Sequence, residues 1–178
     1  KVLNFSITEN NKRDKILTFE FNEYIQLNKW QENFFISPPT KKNIQKKING
    51  KTLNIFIPND LEKKETYYVS LNSCIKDNNE GNVLEELDCL FFENNMFDTL
   101  FFSGNLKDAY TLDPIKNAWV MIFNNNINDS LLFKSSPNYI AKTNKTGDFH
   151  FPNLKDTTYK IIALTGFDFI YNSDEKIA

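Results

Sequence analysis

From Leu17 the stretch Ile16-Leu17-Thr18-Phe19-Glu20-Phe21 alternates apolar and polar side chains, the period of a strand with one buried face. Short runs of the same character recur along the chain. Leu53-Asn54-Ile55-Phe56-Ile57, Tyr67-Tyr68-Val69-Ser70-Leu71 and Leu90-Phe91-Phe92 form a first series. Leu100-Phe101-Phe102, Trp119 to Phe123, Tyr139-Ile140-Ala141, Asp148 to Phe151 and Tyr159 to Leu164 form a second. Turn-forming Asn clusters such as Asn78-Asn79 and Asn124 to Asn126 punctuate them. β-rich runs spaced by about 8–15 residues are the pattern of β-sandwiches. No stretch sustains helical periodicity over three turns, and the segment from Asn22 to Asn33 is allotted one short turn at most. The expected fold class is all-β.

The 178 residues allow one large domain or two small ones. A break near Glu93-Asn94-Asn95-Met96-Phe97-Asp98 leaves two halves, each of about the length of a seven-stranded sandwich. The expected organisation is therefore two consecutive antiparallel β-sandwiches, residues 1–95 and 96–178. The apolar junction implies docked domains. Each half carries a polar turn running into a strand opened by Thr-Tyr: Leu61 before Thr66-Tyr67, and Leu154 before Thr158-Tyr159. A Tyr ring buried at such a corner, its hydroxyl reaching backbone, fixes the turn.

Lys+Arg is 21 against Asp+Glu 23, a net charge of −2, which argues against non-specific nucleic-acid binding. No apolar run approaches the roughly 20 residues of a membrane-spanning helix. One His and two Cys leave little room for His-based catalysis or a transition-metal site. No catalytic residue, cofactor or metal is expected.

The first half resembles the bacterial Ig-like domain of the S-layer-protein type. The matching residues are Ile16 to Ile25, Ile36-Ser37-Pro38-Pro39, Asn49-Gly50-Lys51-Thr52-Leu53, Leu61 to Tyr67, and Ile75 to Asn82 with a closing strand. The second half resembles the carboxypeptidase-regulatory-like, transthyretin-like sandwich. Its residues are Ser103 to Ala109, Pro114 to Val120, Thr143 with Gly147-Asp148-Phe149-His150-Phe151, and Leu154 to Tyr159. In this order the two resemble the N-terminal part of envelope lipoproteins from Gram-negative gliding and gut bacteria. The resemblance implies a non-enzymatic scaffold at the outer membrane, on the cell surface or its periplasmic side. Its implied partners are outer-membrane barrels or other lipoproteins. Membrane contact would come only through a lipid anchor that this sequence does not contain.

Cys74 and Cys89 flank the Asp77–Asn82 turn and are expected on neighbouring antiparallel strands. In an oxidising envelope a disulfide is one reading, and two reduced thiols packed as small hydrophobes is the other. The Asp77–Asn82 segment fails EF-hand spacing and reads as a hairpin turn. Asp168, Asn172 and Asp174 form an oxygen-rich cluster of a kind that arises by chance in an Asn-rich loop. His150, between Phe149 and Phe151, is expected on the solvent face of its strand. The lysines at 41, 42, 46, 47 and 51 read as a solvated hairpin that protects an edge strand, with anionic surfaces as the other reading.

Asp98-Thr99-Leu100, Asp129-Ser130-Leu131 and Asp156-Thr157-Thr158 resemble the Asp-Ser/Thr-apolar acceptor of O-glycosylation in the same bacterial group, making Thr99, Ser130 and Thr157 candidate acceptors. The competing functional reading is glycan binding on an aromatic platform. Trp30 is its best candidate, with Tyr110 and Tyr139 expected exposed and Trp119 expected in the core. A third reading makes the chain the spacer of a catalytic domain outside it.

Overall fold

In a computed structural model the described residues are 1–178 except 13, 60, 62–65, 93–97 and 167. The fold is all-β, and every run quoted above lies on a strand except for Leu71, which follows β7. The first half is built on a four-stranded antiparallel sheet. Its members are β1 (Val2–Glu9), β2 (Lys15–Phe21), β5 (Gln45–Asn49) and β6 (Thr52–Ile57), in the order β1-β2-β6-β5. Leu17, Phe19 and Phe21 of β2 and Leu53, Ile55 and Ile57 of β6 are buried on one face, as the alternation dictates. Opposite lies a three-stranded sheet of β4 (Phe35–Ser37), β7 (Thr66–Ser70) and β9 (Asp88–Phe92), with β7 central. A short pair, β3 (Ile25–Leu27) with β8 (Ile75–Asp77), closes the end. Facing the core, Tyr67 stacks on its ladder neighbour Phe91, with centroids 5.3 Å apart. The single turn of α-helix, α1 (Trp30–Asn33), falls inside the segment allotted one.

The β5–β6 hairpin turns through Gly50-Lys51, with Asn49 paired to Thr52. Gly50 has φ 63°, a left-handed conformation that costs glycine least. Its neighbours Lys46 and Lys47 lie on β5, an edge strand, as expected of a charged hairpin.

In the second half β10 (Leu100–Asn105) pairs with β13 (Asp148–Leu154). The strands β11 (Trp119–Asn124), β12 (Tyr139–Lys142) and β14 (Tyr159–Leu164) form a second sheet in the order β12-β11-β14. Val120, Ile122, Tyr139, Ala141 and Ala163 meet Phe151 and Leu154 between the two sheets. The 3-10 segment Asp129–Lys134 breaks the β pattern and is absent from the sequence expectations; Asn128 Oδ1 accepts the Ser130 N–H at its start.

The apolar clusters divide by position. One is drawn from Leu17 to Phe91, and the others from Trp119 to Leu164. The break expected at 93–98 lies, except for Asp98, outside the described residues.

Candidate functional site

A large concavity lies where the two halves meet. It is an open cleft of about 1520 Å³, walled by α1, β7 and the 83–88 segment on one side and by β10, β12 and β13 on the other. At its base the halves interlock. Phe35 of β4 meets the Trp119 ring edge-on, at 5.6 Å and 78°. The buried Ser37 Oγ accepts the Ile140 N–H at 3.0 Å, so a side chain of one half satisfies a backbone donor on the edge strand β12 of the other. The Lys142 ammonium lies 4.7 Å from the centre of the Trp119 ring and donates to the Glu32 carbonyl. Burial lowers its pKa, with Glu32 opposing the shift. Higher in the cleft, Lys145 Nζ and Glu85 Oε2 form an exposed ion pair at 3.3 Å.

Ser103 and His150 are ladder partners on this wall, and Ser103 Oγ shares a hydrogen bond of 2.7 Å with His150 Nδ1. His150 is exposed, as alternation with Phe149 and Phe151 requires. The neighbouring acid on the same face, Asp148, directs its carboxylate to Asn105 Nδ2 at 2.6 Å and Thr146 Oγ1 at 2.6 Å. The two pairs therefore act as cross-strand ties. Tyr68 donates to Asp88 Oδ2 at 2.8 Å, and burial together with that carboxylate pushes its pKa up.

Cys74 and Cys89 are both free. The expectation that they lie on neighbouring antiparallel strands is corrected. Cys74 precedes β8, which pairs with β3, whereas Cys89 pairs with Val69 across β9 and β7. The turn between them is closed by a bridge from Lys76 to Val83, and the chain then leaves that ladder before Cys89. Burial raises both thiols to about 12.

The Asp77–Asn82 segment is the expected hairpin turn. Asp77 Oδ1 accepts the N–H groups of Asn79, Glu80 and Gly81, and Oδ2 that of Asn82. These bonds, that from Glu80 first, hold its carboxyl below the usual range. At Asp168 the carboxylate accepts the Ile170 N–H, and Asn172 N–H goes to Glu175. Among the described residues no group of three or more His, Cys, Asp or Glu could hold a metal ion.

The aromatic candidates separate. Trp30 is half-buried, stacked on Phe34 at 4.3 Å, with Lys46 Nζ 4.9 Å over its ring. Tyr139, expected exposed, is buried: it points between the sheets and meets Tyr159 edge-on at 6.1 Å. Tyr110 is exposed, and Trp119 is in the core as expected. Thr99, Ser130 and Thr157 are all exposed. Sequence reading missed the Ser37–Ile140 seam. Its only trace is a serine ending a strand that is otherwise apolar.

Residues 6–93 match the bacterial Ig-like domain family. The match spans β2 to β9 and the second half of β1. Chain-wide comparison with solved structures finds three pilus proteins. The major pilin subunit BcpA of Bacillus cereus is 10% identical, with a TM-score of 0.29, covering 97% of this chain and 58% of the pilin. The T6 backbone pilin of Streptococcus pyogenes is 12% identical, with a TM-score of 0.30, covering 100% and 50%. The pilus 2b backbone protein of group B streptococcus is 9% identical, with a TM-score of 0.28, covering 97% and 88%. The chain thus spans between half and three fifths of the length of the first two. No curated protein matches it. Among the described residues no helix is long and apolar enough to cross a membrane.

Proposed function

We propose that the chain is a non-enzymatic module of the cell envelope. In this reading an Ig-like sandwich (residues 1–95) and a transthyretin-like sandwich (residues 96–178) form one docked scaffold for protein partners at the outer membrane. The observation that carries the reading is the buried seam, where Ser37 caps the edge of β12 and Phe35 covers Trp119. A spacer that only separates other parts needs no such interlock, whereas a scaffold that presents loops in fixed relation does. The partners are outer-membrane barrels or other lipoproteins, on the cell-surface side or the periplasmic one. Thr99, Ser130 and Thr157 are open to O-glycosylation.

Glycan binding at Trp30 is the weaker reading, because the ring is already engaged by Phe34 and Lys46. The test is recovery of the protein from gently solubilised native envelope, with mass spectrometry of what accompanies it. Stoichiometric recovery of a barrel or lipoprotein supports the scaffold; recovery of the protein alone overturns it.

A further inference from the structure

Of the many asparagines in the chain, Asn49 alone is followed by glycine. It is the last residue of β5, an edge strand paired to β6, and it closes that ladder opposite Thr52. Ile48 pairs with the buried Leu53, so Asn49 turns to the other, solvent-facing side and is exposed. Gly50 and Lys51 form the two-residue loop, with the glycine at its first central position at φ 63°. Two features of this place favour attack of the Gly50 backbone nitrogen on the Asn49 side chain. Glycine has no Cβ to shield its nitrogen. The rotation that brings nitrogen and amide together needs no more than fraying of the terminal pair of an edge strand.

The same hairpin tip ties down a corner of the first half. The Gly50 carbonyl accepts the Ile25 N–H at 3.2 Å, and the Lys51 carbonyl accepts the Phe21 N–H at 2.9 Å. Lys51 Nζ donates to the Asn22 carbonyl at 2.7 Å. The Tyr24 ring packs against Gly50, where an added Cβ would come within 3.4 Å of it.

We propose that Asn49 is a site of spontaneous deamidation, and that its isoaspartyl product releases this corner. The Gly50 nitrogen bonds to Asn49 Cγ, the Cγ–Nδ2 bond breaks, and the proton from Gly50 leaves with the amide nitrogen as ammonia. Water then opens the five-membered imide at either carbonyl, giving an aspartyl or an isoaspartyl residue, and no oxidant is consumed. Either product sets a carboxylate on the face that carries Lys47, and so weakens the positive charge that guards the β5 edge. The isoaspartyl product also adds a methylene to the main chain, between the Asn49–Thr52 pair and the two carbonyls of the tip. This goes beyond the scaffold reading and does not depend on its partner.

The test is incubation of the folded 178-residue chain in mildly alkaline buffer at physiological temperature, with peptide mapping by mass spectrometry. Asn49 is expected to convert about tenfold faster than any other asparagine of the folded chain. Asn49→Gln, which keeps the amide but would have to close a six-membered ring, is expected to leave the site unmodified. Hydrogen exchange on the aged protein is expected to quicken at the Phe21 and Ile25 amides. Freshly prepared Asn49→Asp, which carries the charge on an ordinary backbone, is expected to keep both amides protected. Conversion at Asn49 no faster than elsewhere overturns the site, even if the chain in urea converts there, because the hairpin would then be what protects it. Conversion that leaves the two amides unchanged, or whose effect Asn49→Asp reproduces, overturns the release.

Discussion

The two halves solve the same packing problem differently. In the first, one cluster of buried side chains fills the space between two sheets, from Leu17 and Phe19 across to Val69 and Phe91. In the second, β11 is buried on both faces, with only its last residue exposed. Val120 and Ile122 face Phe151 between the sheets, while Trp119, Met121 and Phe123 face outward. That outer face is covered by Phe35, from the first half, and by Phe169 and Tyr171, from the C-terminal segment. The first half completes its own core. The second borrows part of its cover. A strand buried on both faces reads as a continuous apolar run, which is what Trp119 to Phe123 shows.

The largest effects test whether each core stands by its own packing. Phe19→Ala and Phe151→Ala each remove a fully buried ring from one half. Each is expected to cost about 3–5 kcal/mol, measured by denaturant unfolding. The comparison sharpens if Phe151→Ala lowers only a transition assigned to the second half while Phe19→Ala lowers both. It breaks if Phe19→Ala leaves the second half unmoved, because the second half would then need no support from the first.

A smaller effect isolates the seam itself. Ser37→Ala removes the acceptor of the Ile140 N–H and leaves that donor buried and unpaired. The expected cost is about 1–3 kcal/mol. The residue belongs to the first half, yet the loss is expected in the second, as faster amide exchange along β12. Exchange unchanged in β12 would show that water replaces Ser37 there.

How much of this was legible follows from the same contrast. Alternation over residues 16–21 and 53–57 gives strands and buried faces directly, because a strand with one wet face writes its pattern locally. The hairpin at Asp77 and the solvent-facing His150 follow from turn chemistry and the two-residue period. The strands β1, β3 and β4 are not among the runs the alternation marks, since two of them are only three residues long and β1 is a sheet edge with few buried side chains. Pairing is the least local property. Whether Cys74 meets Cys89, whether Tyr139 points in or out, and what Ser37 caps depend on which strands become neighbours, and no sequence period encodes that.

The tyrosine corner offers a milder comparison. Tyr159 donates its hydroxyl to the Lys155 carbonyl at 3.0 Å, spanning the turn that leads into β14. Tyr159→Phe keeps the ring and deletes this bond, and is expected to cost about 1 kcal/mol in thermal or denaturant unfolding. An unchanged stability would make the corner a packing device and not a hydrogen-bonded one.

The smallest expected effect concerns acid. Asp77 in the first half, and Asp108 and Asp148 in the second, each hold a turn through their carboxylates, and each has its pKa lowered. The causes differ: backbone N–H groups, Glu80 first for Asp77 and Tyr110 first for Asp108, but side chains for Asp148, Thr146 first. A carboxyl whose folded pKa is depressed binds its proton more weakly folded than unfolded. Its contribution is present above the ordinary value of 3.8 and is lost as pH falls through the lower folded value. The melting temperature is therefore expected to hold through neutral pH and to decline below about pH 4, more steeply for a transition of the second half, with its two such groups. Asp77→Asn is expected to flatten the acid decline of the first half alone, and Asp148→Asn that of the second. Because all three groups are exposed, each change is a small shift in slope. Equal slopes in the two halves, indifferent to both substitutions, would mean that these carboxylates hold their turns no better charged than protonated.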